Sequence, residues 1–154
     1  MERRDFIHQS GAALGLASLG ALAPGVAGAQ NAPGWNKAAF ETHSLAEAIK
    51  AMGGGTATES KDLVLQAPEI AENGNVVRIG AQSNIPGTTQ IGFLIEKNPF
   101  ALTAVFDIPS GTDPSVSTNV KMGQSSNVYA LAKVGDKYFY AVKEVKVTLG
   151  GCGG

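Results

Sequence analysis

One residue in the chain has the makings of a covalent attachment point. Cys152 is the single cysteine among 154 residues, and it stands between two glycine pairs, Gly150-Gly151 and Gly153-Gly154. A thiol or its thiolate forms bonds to sulfur and to electrophiles, and its reactivity decides its use more than its packing does. Glycine has no Cβ, so the flanking residues give the chain no steric reason to settle on one conformation. A buried cysteine is a poor reading here, since none of its neighbours has a side chain to bury with it. The sequence predicts a thiol on a thin arm, Gly150–Gly154, that enters narrow channels and spans roughly 10 Å from Leu149 to Cys152 when extended.

Catalysis by the chain itself needs more than this thiol. An ordinary cysteine has a pKa near about 8.5, which leaves little thiolate at neutral pH. The α-carboxylate two residues on disfavours ionisation further. Beyond the leader the one histidine is His43, read as a solvated residue ahead of a helix; an arm of glycines cannot hold a sulfur in a fixed pair with it. There is no HxxxH, CxxC or second sulfur ligand to make a metal site, and no GxGxxG or phosphate loop. Gly53-Gly54-Gly55 follows a helix rather than preceding one and so cradles no phosphate. No catalytic residue, metal or cofactor is expected. The pattern is that of a carrier: the sulfur is a handle, and other proteins act on what it holds. Two alternatives remain: a structural β-domain cross-linked to a partner through Cys152, and a thiol oxidoreductase, against which the missing second cysteine counts.

The address bears on the thiol. Arg3-Arg4-Asp5-Phe6-Ile7 is a twin-arginine start, followed by an uncharged run from Gly11 to Ala29 that ends in Ala27-Gly28-Ala29. This reads as a cleavable export signal, 1–29, cut after Ala29, rather than as a membrane anchor: the run is interrupted by Pro24 and is only weakly apolar. The expected location is the periplasm, by the twin-arginine route, which exports folded proteins and so fits export together with a partner subunit. Thiols there tend to be oxidised. With no second cysteine, Cys152 is free, capped, or bridged to another chain. The formal net charge of −1 gives no electrostatic case for nucleic acid or an anionic membrane surface.

The remaining stretch, 30–149, must position the arm, and it reads as one mainly β domain. Trp35 and Phe40 are expected to pin the N-terminal segment. Ser44-Leu45-Ala46-Glu47 is a capping-box pattern, and Leu45, Ala48, Ile49 and Met52 recur at helical spacing, so a short helix over about 37–52 is expected, broken near the cap and closed at Gly53. From Asp62 the period changes to two. Strands are expected at 62–66, 76–80, 90–96, 101–108, 115–122, 127–134 and 138–149, with turns at 72–75, 84–87 and Gly135-Asp136-Lys137. About seven short strands after one helix point to an immunoglobulin-like β-sandwich, a small barrel being the competing architecture. The last strand runs straight into the arm.

The assembled residues resemble the SoxY family of bacterial thiosulfate oxidation. The resemblance rests on Gly150-Gly151-Cys152-Gly153-Gly154, the approach Val145-Lys146-Val147-Thr148, the stretch Ala67-Pro68-Glu69-Ile70-Ala71-Glu72-Asn73-Gly74, and the leader. Arg78 departs from it, standing where the family pattern has a proline. The resemblance implies that Cys152 is the attachment site and the four glycines its arm. It also implies a heterodimer with a SoxZ-like β-sandwich subunit. The expected partner enzymes are a haem enzyme that conjugates thiosulfate as a cysteine S-thiosulfonate, a dimanganese hydrolase that releases sulfate and leaves a persulfide, and in some organisms a sulfane dehydrogenase.

Overall fold

The structure is a computed structural model that describes residues 35–148. The leader, its cleavage point after Ala29, and the arm with Cys152 lie outside the described residues.

Two short helices come first, α1 (Lys37–Phe40) and α2 (Leu45–Ala51), and the break falls at the expected cap. Ser44 Oγ accepts the amide proton of Glu47 at 3.2 Å, while the Glu47 carboxylate reaches back to the amide of His43 at 2.9 Å, one residue ahead of the cap. Gly53, at φ +84°, closes α2: its N–H donates to Lys50 O and that of Gly54 to Ile49 O, the paired bonds of a Schellman ending.

Nine strands follow: β1 (Ala57–Glu59), β2 (Leu63–Gln66), β3 (Ile70–Ala71), β4 (Val77–Ser83), β5 (Thr88–Ile95), β6 (Leu102–Asp107), β7 (Ser115–Val120), β8 (Ser126–Val134) and β9 (Lys137–Val147). Seven correspond to those expected, with ends shifted by a few residues. The other two, β1 and β3, correct the expected number. The strands form two separate sheets, which makes the architecture a sandwich and not a closed barrel. The larger runs β1-β9-β8-β5-β6, with β3 also on β9; the smaller is β2-β4-β7. Together they give a mainly β, immunoglobulin-like fold. β8 and β9 form a hairpin in which Val134 faces Lys137 across Gly135-Asp136, and Gly135 takes the positive φ, +58°, that such a two-residue turn requires.

Alternation sets the core. Ile91, Phe93 and Ile95 of β5 and Val128, Ala130 and Ala132 of β8 face the smaller sheet, where Leu63, Val77, Ile79, Ala81 and Val120 meet them. The opposite face of the larger sheet, with Leu94 of β5, Leu131 of β8 and Tyr138 of β9, is covered by Ala39, Ala48 and Ile49 of the helices. β5 and β8 are therefore apolar on both faces, which is why their sequences read as continuous apolar runs and not as a clean alternation. Tyr138 ties the layers, its hydroxyl donating to Met52 O at 3.1 Å.

Two expectations for the N-terminal segment change. Phe40 packs against the helix cluster, but Trp35 stacks on Phe40 at 4.5 Å between ring centroids and stays half exposed; only Phe40 is an anchor to the body. His43 is exposed yet engaged. Its Nδ1 donates to Pro99 O at 2.7 Å, the carbonyl fixing that tautomer, and its ring stacks on Phe100. With Ala101 N donating to Thr42 O at 2.7 Å, this fastens the helical segment to the larger sheet.

Candidate functional site

The site begins where β9 ends. β9 is the longest strand, eleven residues, and it is paired on one edge with β8, from Lys137 against Val134 to Val145 against Ser126. Its other edge is shared by two short parallel strands. β1 pairs near the start, Ala57 with Tyr138 through Glu59 with Tyr140, and β3 near the end, Ile70 with Lys146 and Ala71 with Val147.

The stretch Ala67–Gly74 thereby acquires a physical role, as a clamp on the last turn of strand before the arm. Lys146 N donates to Glu69 O at 2.9 Å and Thr148 N to Ala71 O at 3.0 Å. From the opposite edge, Ser125 Oγ accepts from Val147 N at 2.9 Å. Beneath, Met122 N donates to Gly74 O at 2.7 Å. A Cβ on Gly74 would collide with the Met122 carbonyl oxygen and come within 2.9 Å of Val147 Cγ1, so only glycine lets this turn close on the strand. Val145 is fully buried, and Val147 packs against the same core. The end of the strand is thus held from both edges, Val147 by Ser125 and Thr148 by Ala71, and Cys152 stands four residues beyond Thr148. At about 3.3–3.6 Å per residue those four steps span at most roughly 13–14 Å.

Among the described residues no group of three His, Cys, Asp or Glu side chains is placed to hold a metal ion. No helix among them is long and apolar enough to cross a membrane. His43 has committed Nδ1 to the Pro99 carbonyl. A concavity of about 440 Å³ between the 83–89 and 108–114 loops has no ionisable side chain in its lining. It lies at the far end of the sandwich, where Thr88 pairs with Val134 beside the β8–β9 turn, whereas β9 leaves at the end where Val145 meets Ser126.

Of the residues singled out in the sequence, Cys152 and Gly150, Gly151, Gly153 and Gly154 lie outside the described residues. What the structure supplies is the ground they leave from. Ser125, Met122 and Gly74 were not recognised as parts of it from the sequence. The only signal was that the 67–74 stretch resembled a known family despite lacking a strand pattern. Arg78 lies on β4, opposite Asn119 of β7, with its side chain exposed.

Comparison with known proteins agrees with this geometry. The family model described as "Sulfur oxidation protein SoxY" matches residues 49–152, a span that includes the clamp, β9 and Cys152. The structure of the sulfur carrier protein SoxY from Chlorobium limicola f thiosulfatophilum is 36% identical, covers 68% of this chain and 96% of its own, and superposes with a TM-score of 0.61. A lytic polysaccharide monooxygenase from Jonesia denitrificans, at 16% identity, covers 61% of this chain and 59% of its own with a TM-score of 0.34, too low to carry an argument. No curated protein matches. A family match over most of the chain, joined to a structural relative of that identity and coverage, shows that the chain belongs to the SoxY family of sulfur oxidation proteins.

Proposed function

We propose that this protein is an exported carrier that holds thiosulfate-derived sulfur covalently on Cys152 and presents it to enzymes that do the chemistry. The observation that carries the reading is the root of the arm. β9 is clamped through Thr148 by β3, Ser125 and the Gly74 turn, and a lone cysteine follows four residues later in a family of sulfur oxidation proteins. A fixed base with a short tether keeps a thiol within a small radius of one place on the surface, which raises its effective concentration at any enzyme docked there.

The thiol of Cys152 and thiosulfate lose two electrons and a proton to a haem enzyme, forming a new S–S bond and a cysteine S-thiosulfonate. A dimanganese hydrolase then adds water across the bond to the terminal sulfonate, releasing sulfate and a proton and leaving a cysteine persulfide. A sulfane dehydrogenase, where one exists, oxidises the outer sulfur further. The chain supplies the attachment point and the reach, and no catalytic group. It works in the periplasm after twin-arginine export and cleavage after Ala29, as a 30–149 body carrying a 150–154 arm. A second small β-sandwich subunit of the SoxZ type completes the heterodimer.

Intact-mass spectra should show thiosulfate-dependent adducts on the wild-type chain and none on Cys152→Ser. For the subunit, the two chains co-expressed should elute together at the mass of one copy of each; separate elution would remove the heterodimer from the account.

A further inference from the structure

After Gln66, the last residue of β2 to pair with β4, the chain crosses from the smaller sheet to the larger one through Ala67, Pro68 and Glu69. The crossing leaves a groove of about 360 Å³ lined by Gln66–Pro68, Arg78–Gly80, Ser117 and Lys143. Its two ionisable side chains are both cations, and they arrive from different sheets. Arg78 comes from β4 of the smaller sheet and is exposed. Lys143 comes from β9 of the larger, at a position whose neighbours two residues away, Ala141 and Val145, face the core. A lysine on the core-facing side of a strand runs its stem outward to keep its ammonium solvated. Here the ammonium emerges at the groove and donates to Ala67 O at 2.8 Å, which leaves two of its protons for another acceptor. Among the described residues the one ion pair is Lys37 with Glu41, so neither groove cation is neutralised by a carboxylate there. Gly80 keeps the floor low: a Cβ on it would sit 3.3 Å from Val116 O and 3.4 Å from Gln66 Oε1.

We propose that this groove binds a small tetrahedral sulfur oxyanion between Arg78 and Lys143. A guanidinium offers a planar fork to two oxygens and an ammonium offers a point charge to a third, which suits a sulfate or sulfonate group. The choice of sulfur over other tetrahedral anions rests on the carrier reading above. Lys143 stands five residues before Thr148, roughly 17 Å along the strand. The extended tether together with a sulfonate-bearing cysteine side chain has about that length, and a free sulfate or thiosulfate enters the groove from solvent.

The test is an NMR titration of the mature Cys152→Ser protein with sodium thiosulfate and sodium sulfate at constant ionic strength, chloride being the reference. Saturable shifts at the amides of Gly80 and Ser117 are expected, with Arg78→Gln weakening the affinity about 10-fold or more, as loss of a charge-assisted bond implies. Lys143→Gln should act in the same direction. Because the cysteine is absent, this arm stands or falls whether or not Cys152 carries cargo. A second arm uses the wild-type thiol loaded with tetrathionate, the thiolate attacking one sulfur and displacing thiosulfate. If the loaded protein already shows the shifts and no longer titrates, the arm-borne sulfonate is the ligand; if it titrates as before, the free ion is. No saturation with either anion, or equal affinity in Arg78→Gln, overturns the site. So does a response confined to an acidic peptide, which would make the groove a docking point for a partner protein.

Discussion

At the scale of single residues, one ionisation can be followed by experiment. Among the described residues whose ionisation is displaced, Tyr129 stands out: partial burial, the nearby Glu96 carboxylate and the Tyr140 phenol all raise its pKa, against a smaller opposing hydrogen bond from Asn127. Its phenolate is disfavoured in the folded state, so the folded protein holds its proton where the unfolded chain has lost it. Stability then falls as pH rises past the ordinary tyrosine value of about 10, and is unaffected by this group below it. Chemical denaturation of wild type and Tyr129→Phe across pH 8 to 11 should show the two diverging only at the alkaline end, with the variant losing less. A uniform offset at every pH would mean that packing, not ionisation, separates them. The histidine lesson belongs at the same scale. The exposure of His43 was legible from its place before the cap. Its bond to Pro99 was not, because the 99–101 turn lies far along the chain.

At the scale of elements, the clamp is the informative unit. Gly74→Ala should destabilise the fold by about 1–3 kcal/mol, since the added methyl meets the Met122 carbonyl backbone and cannot be relieved by a rotamer change. It should also raise amide exchange at Lys146 and Thr148, the residues bonded to Glu69 and Ala71, more than at Tyr138 or Leu131. Even loss of protection across all of β9 would show that the turn does not act locally on the arm root. Long elements were readable in the sequence because burial imposes a period: α2 from Ser44 to Gly53, and β4 to β9 from their apolar runs and turns. β1 and β3 were not. β1 spans three residues and β3 two, Ile70 of β3 points to solvent, and both take their identity from parallel pairing with a strand some eighty residues later. That is tertiary context, which local pattern does not carry. The same stretch was legible only through family resemblance, which marked it as special without saying what it holds.

For the whole molecule, the sandwich turns a strand end into a fixed platform. Phe93, Ile91 and Ile95 fill the space between the sheets, the helices seal the other face, and β9 is held along both edges near its end. In the function proposed above, the strand end fixed at Thr148 holds and the glycine-rich sequence after it reaches. The sandwich architecture could be inferred from strand spacing. The covering of its larger sheet by two helices could not, since that depends on which face of β5 and β8 the N-terminal segment finds. The central claim concerns Cys152, and intact-mass spectrometry addresses it most directly. The mature protein is exposed to thiosulfate and its haem conjugating enzyme, then to the sulfate-releasing hydrolase, with Cys152→Ser in parallel. The account predicts a gain of one thiosulfate group on the wild type, reduced to a single extra sulfur after the hydrolase, and an unchanged mass for the variant. An equal gain on Cys152→Ser, or a wild-type chain that never takes up thiosulfate under conditions where the enzyme is active, would contradict it.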